Sequence, residues 1–332
     1  MPSIVIELTN HCNLSCQHCM EGRHSSDGQS LKLEILDKIL QNCKEHGFDH
    51  LSFTGGEPTL HPRFNEILKN VYEAGYNFGF VTNGWNFVEM YSQLLPYRDR
   101  LRGITFSLDS AREEVHDRVR GRGAYRRLMK AFSICMVKDI PFTINTTVMS
   151  YNKGELKEMA ELATKLGSRG LRFCHLMPTP GNVEKGLSLS PEECVVIEGI
   201  IGELQQSFPM PIIMAPGYHT TNLFPCSPLQ SKELNIDWRG NVTLCCHLSG
   251  YGNGAIEGDI IGNLDTMSFA EAQKGFIHLN KTFHQDKRER YGKGEFRDSD
   301  YFPCFYCLNY FDKVDWLKDD HESPWSSLVW KV

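Results

Sequence analysis

The sequence predicts an α/β fold, in which helices cover one side of a parallel sheet and a smaller cysteine-rich part follows. Short apolar runs alternate with helical patterns six times in the first part of the chain. The alternation stops near residue 216, where turns, aromatic residues and cysteines take over. A chain of 332 residues is also longer than one average domain. We therefore expect two units, at residues 1–215 and 216–332.

Each predicted strand is a short apolar run that is followed by residues with helical spacing. The strands are expected at residues 3–8, 50–54, 77–81, 103–108, 142–148 and 170–176. The helices after the first five are expected at residues 33–47, 67–75, 88–95, 125–137 and 154–166. Repeated β–α units imply a parallel sheet, and six strands are fewer than the eight of a closed barrel. Ligand groups are expected at the carboxyl ends of these strands.

Two local patterns mark the rest of the chain. Ser190, Pro191 and Glu193 form a capping box with proline at the first helical position, so a helix is expected from there to about residue 208. Residues 233–237 and 241–245 predict a β-hairpin that turns at Arg239-Gly240.

Composition excludes several classes of protein. Lys and Arg total 35 and Asp and Glu total 41, which gives a net charge of −6 without a basic tract, so a nucleic-acid partner is disfavoured. No apolar run approaches the length of a membrane span, and residues 1–7 do not resemble a signal peptide. A cytoplasmic protein is expected. Its twelve cysteines then indicate metal binding or catalysis rather than disulfides.

Three cysteines lie close together after the first predicted strand. Cys12, Cys16 and Cys19 have the spacing C-x3-C-x2-C. Thiolates are the ligands of iron–sulfur clusters, and a protein normally supplies four of them. Three on one loop could hold three corners of a four-iron cluster and leave the last iron to another molecule. The alternative is a structural zinc site, which usually has paired ligands that sum to four.

A second group of cysteines lies in the C-terminal part. Cys226, Cys245 and the pair Cys304 and Cys307 supply four thiolates, which can enclose a cluster completely, with zinc as the alternative. Cys246 is not needed for this set of four, and it could be an alternative ligand, a structural thiol or a hydrogen-atom donor. The remaining cysteines are expected in the core, at Cys43, Cys135, Cys174 and Cys194.

The first cysteine motif is typical of the radical S-adenosylmethionine (radical SAM) superfamily, and the chain resembles that family. The resemblance implies a partial, TIM-like (β/α)6 barrel and a [4Fe–4S] cluster on Cys12, Cys16 and Cys19 that binds SAM. It also implies an external electron donor such as flavodoxin or ferredoxin. The second cysteine group looks like the twitch module, a shortened relative of the SPASM domain, and implies a second, auxiliary [4Fe–4S] cluster. The stretch at residues 259–264 resembles the G-N-L segment of that module.

The resemblance also implies SAM-binding residues at the strand ends. Gly55, Gly56, Glu57 and Pro58 match the family segment that binds the methionyl amino group; glycines permit close approach to a ligand, and a carboxylate accepts hydrogen bonds from an ammonium. Further SAM contacts are expected from His18, Thr82, Asn83, Ser107, Asp109, Arg120, Asn145 and Met177. Thr147 shares a strand face with Asn145, and His175 is a weaker adenine-side candidate.

The resemblance implies reductive cleavage of SAM to a 5′-deoxyadenosyl radical, which takes a hydrogen atom from the substrate. Loss of an electron and a proton would then give oxidation, whereas hydrogen return from Cys246 would give epimerisation. The chain begins at its first strand, so no N-terminal peptide-recognition domain is expected. We therefore expect a small molecule of natural-product biosynthesis, such as an aminosugar, cyclitol or nucleoside. Peptide maturation, and a non-catalytic iron–sulfur or zinc protein, are the alternatives.

Overall fold

The computed structural model describes residues 2–20, 28–251, 258–320 and 323–329. In this part of the chain the strands form one ten-stranded sheet, in the order β10-β9-β8-β1-β2-β3-β4-β5-β6-β7. The strands are β1 (Ser3–Thr9), β2 (His50–Gly55), β3 (Asn77–Thr82), β4 (Leu101–Ser107), β5 (Phe142–Val148), β6 (Leu171–His175), β7 (Ile212–Met214), β8 (Glu233–Ile236), β9 (Asn241–Thr243) and β10 (Ile260–Asn263).

Neighbouring strands from β1 to β7 are all parallel, and this arrangement confirms the predicted α/β fold with a parallel sheet. On its other side, β1 pairs in parallel with β8. The predicted hairpin is present as β8 and β9, with Gly240 at its turn in the left-handed region (φ +86°). The C-terminal residues thus extend the same sheet, and the division at residues 215 and 216 stays a prediction.

Helices connect the strands and follow them along the chain. They are α1 (Leu33–Asn42), α2 (Phe64–Glu73), α3 (Phe87–Met90), α4 (Glu113–Arg120), α5 (Ala124–Lys138), α6 (Leu156–Lys165), α7 (Pro180–Glu184), α8 (Pro191–Ser207), α9 (Cys246–Gly250), α10 (Phe269–Gly292) and α11 (Pro303–Tyr310). Their apolar sides bury alternate strand residues such as Ile6, Phe53 and Phe80. The capping box at Ser190 forms as predicted. The 24-residue helix α10 was not predicted.

The other residues of each strand face inward, away from the helices. Along β5 the outward residues are buried, whereas Asn145 and Thr147 are half-exposed. On β6 the same alternation directs Arg172 and Cys174 inward. The expectation that Cys174 belongs to the core is therefore wrong, whereas Cys43, Cys135 and Cys194 are buried. No helix in the described ranges is long and apolar enough to cross a membrane.

Candidate functional site

The first three cysteines lie in the loop that follows β1, at the carboxyl edge of the parallel strands. Cys12, Cys16 and Cys19 are all half-buried. The loop is fixed to helix α4, because the backbone N–H of Gln17 donates to the carbonyl of Val119 over 2.9 Å. The side chain of Gln17 also donates to the carbonyl of Arg118. Three thiols are thus held at one position above the sheet.

Two polar side chains approach the sulfur atoms. Asn83 Nδ2 lies 3.8 Å from Cys12 Sγ, and Arg120 Nη1 lies 3.9 Å from Cys16 Sγ. Burial raises the pKa of Cys12 to about 11. Burial also raises the pKa of Cys16, and the charge of Arg120 opposes this second rise. Thiols that are costly to ionise become thiolates when a metal replaces the proton, and hydrogen-bond donors then stabilise them. The residues present therefore fit an iron–sulfur cluster.

Gly55 and Gly56 bring the loop after β2 against the first cysteine loop. Gly55 has φ +131°, and a Cβ at Gly56 would lie 2.1 Å from the carbonyl oxygen of His11. The N–H groups of Gly56 and Glu57 donate to the carbonyls of Thr9 and His11, each over 2.7 Å. The close approach that these glycines permit is thus an approach to protein backbone. Their predicted contact with SAM stays a prediction.

The carboxylate of Glu57 is buried and joins three segments. Its Oε1 accepts from the hydroxyls of Thr59 and Thr82 over 2.7 and 2.8 Å, and its Oε2 accepts from the N–H of Asn83 over 2.8 Å. Burial raises the pKa of Glu57, and these hydrogen bonds oppose the rise. Because a carboxylate oxygen has two acceptor positions, Oε2 retains one for a further donor such as an ammonium. Pro58 begins a short 3-10 helix directly after it.

Asp109 and Arg120 form a buried ion pair beside the cysteine loop. Arg120 Nε lies 2.6 Å from Asp109 Oδ2, and the two side chains are 10% and 1% exposed. Burial alone would raise the pKa of Asp109, but Arg120 and His18 bring it well below its usual range. The N–H of Thr147 donates to Asp109 Oδ1 over 3.0 Å. The pair thus connects α4, the end of β4 and β5.

His18 lies beside this ion pair, with Nε2 at 3.8 Å from Asp109 Oδ2. Burial lowers its pKa to about 4, so the ring is neutral at physiological pH. Its buried Nδ1 has no hydrogen-bond partner within the ranges described. A buried polar atom without a partner is uncommon in proteins and is often explained by a ligand. His18 therefore has an atom with which to contact a bound cofactor.

Of the remaining predicted SAM contacts, Ser107 and Asn145 lie on the inner face, whereas Met177 belongs to the buried core and His175 shares the outward side of β6 with Leu171 and Phe173. Ser107 and Asn145 are opposite each other on β4 and β5, and both are half-buried. Met177 follows β6 and is fully buried. His175 is enclosed by Tyr218, Trp325 and the sulfur of Cys194, at 3.1 Å from Nε2.

The second cysteine group comes together from distant parts of the chain. Burial raises the pKa of Cys226 to about 12, and the neighbouring Cys245 raises it further. The pKa values of Cys304 and Cys307 are also raised, by burial and by the neighbouring Cys226 and Cys245. Within the described ranges, no group of three or more His, Cys, Asp or Glu side chains is arranged to hold a single metal ion. Four buried thiols that act on one another's pKa fit a group that takes four thiolates, such as an iron–sulfur cluster.

The two cysteine groups lie at opposite edges of the sheet. The first follows the carboxyl end of β1. Cys226 precedes β8, whose first residue pairs with Ser3 at the amino end of β1, and Cys245 follows β9, which runs back toward that edge. Strand β1, whose seven residues span about 20 Å, runs between these two edges. The expectation of ligand groups at the carboxyl ends concerned the six strands of the β–α units, and the second group lies outside them.

Charged side chains occupy the inner face between the two edges. Burial raises the pKa of Glu233 on β8, and the charge of Arg172 on β6 opposes this rise. The charge of Arg172 also opposes the rise that burial causes in the pKa values of Cys174 and Cys304. Strands β6 and β8 are far apart in the sheet order, so an interaction between them requires the sheet to curve into a partial barrel. Arg172 thus faces the barrel interior near the second cysteine group.

Cys246 is the first residue of α9, next to Cys245. The thiols of Cys245 and Cys246 are hydrogen-bonded, and this contact, burial and the charges of Glu233 and Glu7 raise the pKa of Cys246 well above its usual value. Glu7 is a buried residue of β1. Cys246 therefore lies at the junction of the barrel interior and the second cysteine group.

The comparisons identify the class of protein. Residues 6–163 match the model of the Radical SAM superfamily, and this part of the chain belongs to that superfamily. The parallel sheet described above is typical of the radical SAM partial barrel.

The relatives differ in their activities. The AdoMet-dependent heme synthase of Methanosarcina barkeri is 32% identical over 57% of this chain and 54% of its own length. A GTP 3′,8-cyclase of Clostridium perfringens is 29% identical over 56% of this chain and 58% of its own. The mycofactocin maturase MftC of Mycobacterium ulcerans is 29% identical over 56% and 50%. The chain thus matches only about half of the length of these curated relatives.

Solved structures share the fold. Streptococcus suis SuiB bound to S-adenosylmethionine matches with a TM-score of 0.61 at 13% identity, over 74% of this chain and 60% of SuiB. A polyhistidine-tagged anSMEcpe with bound AdoMet matches with a TM-score of 0.62 at 14% identity, over 96% of this chain and 94% of the other. At such identities the likeness concerns the fold alone.

Sequence reasoning missed several polar residues of the interior. Glu7, Arg172 and Glu233 each interrupt or begin an apolar strand. A charged residue at an inward position of a parallel strand is the signal that could have found them, because both faces of such strands are usually apolar.

Proposed function

We propose that the chain is a radical SAM oxidoreductase that oxidises a small polar molecule inside the partial barrel. Cys12, Cys16 and Cys19 would hold the first cluster, with SAM on the iron left open. The loop at residues 55–58 and the side chains of His18 and Asn145 would line the SAM site. When bound, the cluster and SAM supply a 5′-deoxyadenosyl radical that removes a hydrogen atom from an unactivated C–H bond.

The surrounding side chains hold this site and exclude water from it. Asn83 and Arg120 donate toward the cysteine sulfurs, and Asp109 keeps Arg120 in place through a buried ion pair. Glu57 fixes the ends of the second and third strands. Thr82 donates to Glu57, and Ser107 is half-buried on the inner face of β4. Such preorganisation positions the reacting groups before reaction.

The location of the second cysteine group carries the proposal of oxidation. Cys226, Cys245, Cys304 and Cys307 would hold an auxiliary [4Fe–4S] cluster, and the Arg172 charge acts on Cys304 from the opposite side of the barrel. An acceptor there would lie across the interior from the SAM site. A substrate between the two edges could lose its hydrogen atom toward one site and its remaining electron toward the other, while its proton passes to an interior carboxylate such as Glu233.

The interior favours a small polar substrate. Glu7, Glu233 and Arg172 provide charges of both signs, which would suit the hydroxyl and amino groups of an aminosugar, cyclitol or nucleoside. The first cluster would receive its electron from an external donor such as flavodoxin or ferredoxin. Peptide maturation is supported by the relatives named as mycofactocin maturases.

An anaerobic assay tests the proposal. Reconstituted protein with SAM and dithionite should release 5′-deoxyadenosine and contain roughly eight irons per chain, as two four-iron clusters require. A small-metabolite fraction of cell extract should stimulate this release, whereas stimulation only by the peptide fraction would favour a maturase. Absence of 5′-deoxyadenosine would indicate a non-catalytic iron–sulfur or zinc protein.

The position of Cys246 favours epimerisation as the second candidate. Its thiol lies beside Cys245 and near Glu7 and Glu233, where it could return a hydrogen atom to a substrate radical. Cys246→Ala should preserve an oxidation but abolish an inversion and the incorporation of solvent deuterium. Cys174→Ala is the matched control, because Cys174 is also half-buried and inward-facing. Loss of inversion in that variant alone would assign the donor role to Cys174.

A further inference from the structure

Helix α10 has a buried face with a lysine in it. The buried residues recur at helical spacing, as Phe269, Ala272, Phe276, Asn280, Phe283 and Lys287. Lys287 is 1% exposed. A buried ammonium is costly unless anions or aromatic rings compensate its charge. Its surroundings should therefore contain such groups.

The aromatic partner comes from α11. Lys287 Nζ lies 4.1 Å from the ring centre of Tyr306, which is within the range of a cation–π interaction. Tyr306 stands between Cys304 and Cys307 on that helix. Phe283, one turn before Lys287, packs edge-on against the same ring at 5.7 Å. The lysine thus contacts the ring of the residue that lies between the two cysteines of the C-x2-C pair.

The carboxylate of Asp300 and the cysteines of the second group lie near this ammonium. Burial lowers the pKa of Lys287, and the charges of Cys307, Asp300 and Cys226 oppose the effect. On the same helix face, Asn280 donates to the carbonyl of Pro228, two residues after Cys226, over 2.9 Å. Helix α10 therefore packs against two of the three segments that carry the second cysteine group, those of Cys226 and of Cys304 and Cys307.

We propose that the Lys287 ammonium stabilises the reduced form of the auxiliary cluster and thereby raises its reduction potential. The inference rests on the auxiliary cluster proposed above. One-electron reduction adds one negative charge to a cluster, and net charge and hydrogen bonds near the sulfurs set its potential. A fixed positive charge in a site of low dielectric favours the more negative state. A higher potential would suit a cluster that accepts an electron from a substrate.

The test uses the full chain with Cys12, Cys16 and Cys19 replaced by alanine, so that only the second cluster can assemble. After anaerobic reconstitution, the midpoint potential is measured by titration with dithionite and EPR detection of the reduced cluster. Lys287→Met should lower the equilibrium constant for reduction at least tenfold, which is about 59 mV for one electron. Lys287→Arg should retain the potential of the parent.

The matched control is Lys281→Met, which removes a lysine from the exposed side of the same helix, where water screens its charge. It should leave the potential unchanged. An equal shift in this control, or no shift in Lys287→Met, would overturn the inference while leaving the auxiliary cluster intact. If the parent holds no iron, both the auxiliary cluster and the inference are wrong.

Lys287→Gln repeats the comparison if the methionine variant does not assemble a cluster, because glutamine also lacks the charge. A lowered potential in Lys287→Gln supports the inference. Loss of iron from both neutral variants would overturn it, since the lysine would then act in cluster assembly rather than on the potential.

Discussion

Asp109→Asn is expected to destabilise the protein strongly, because it removes one partner of the buried ion pair. Asparagine keeps the shape of the side chain, and its oxygen can still accept from the N–H of Thr147. Its amide group then faces Arg120 Nε, which lies 2.6 Å from the carboxylate in the parent. Arg120 is only 10% exposed, so water cannot replace the lost partner. Breaking a buried pair in this way costs about 3–5 kcal/mol.

The assay is urea denaturation of the metal-free, reduced protein, followed by circular dichroism. The expected loss is large beside a typical folding free energy of about 5–15 kcal/mol. The matched control is Glu89→Gln, which removes an exposed partner from Arg127 at 2.8 Å. Because water screens that pair, its loss should cost no more than about 1 kcal/mol. Similar free energies of unfolding for the two variants would refute the reasoning.

A double variant separates the ion pair from the local packing. Asp109→Leu with Arg120→Met removes both charges and leaves no buried ion without a partner. Replacing a buried pair by apolar residues is often neutral, so much of the lost stability should return. If the double variant is instead as unstable as the sum of its single variants, the charges contribute independently and the pair is not the cause.

Two further predictions concern the loops and the core. Gly56→Ala places a Cβ 2.1 Å from the His11 carbonyl oxygen, so this variant should displace the first cysteine loop and lower the iron content by about half. The control Gly199→Ala adds a Cβ in open space on α8 and should leave the iron content unchanged. Burial lowers the pKa of His175 to about 3 from its usual value of 6.5. Between these two pH values the unfolded chain protonates His175 and the folded chain does not, so the stability of the fold decreases as the pH falls. Between pH 7 and pH 5, His175→Gln should therefore lose about 2 kcal/mol less stability in urea titrations than the parent; equal losses would contradict this.

Local patterns were sufficient to predict the β–α units. Apolar runs and helical spacing located the first six strands closely, and the capping box located the start of α8. Helix α10 was missed although Ser268 and Glu271 form a second capping box at its start. Asn280 and Lys287 lie on its buried face, so the apolar periodicity is interrupted at the positions that usually reveal a helix.

Non-local pairing could not be predicted. The pairing of β8 with β1 joins residues more than two hundred positions apart, and it brings the hairpin to the sheet edge beside the first strand. The sequence also could not show that Gly55 and Gly56 pack on backbone. A glycine motif indicates that another group packs closely against the backbone, but only the structure identifies that group as the backbone of residues 9–11.

The topology explains why one chain can serve two cysteine groups at opposite edges of its barrel. Strand β1 delivers the first group at its carboxyl end, and β8, parallel to β1, begins at the amino end of the same strand. Because β9 is antiparallel to β8, the chain returns to that amino edge before Cys245 and Cys246. Insertion or deletion of a residue in β8 would shift this register and exchange its inner and outer faces, including Glu233. The pairing of β8 with β1 therefore determines where the second group meets the barrel interior.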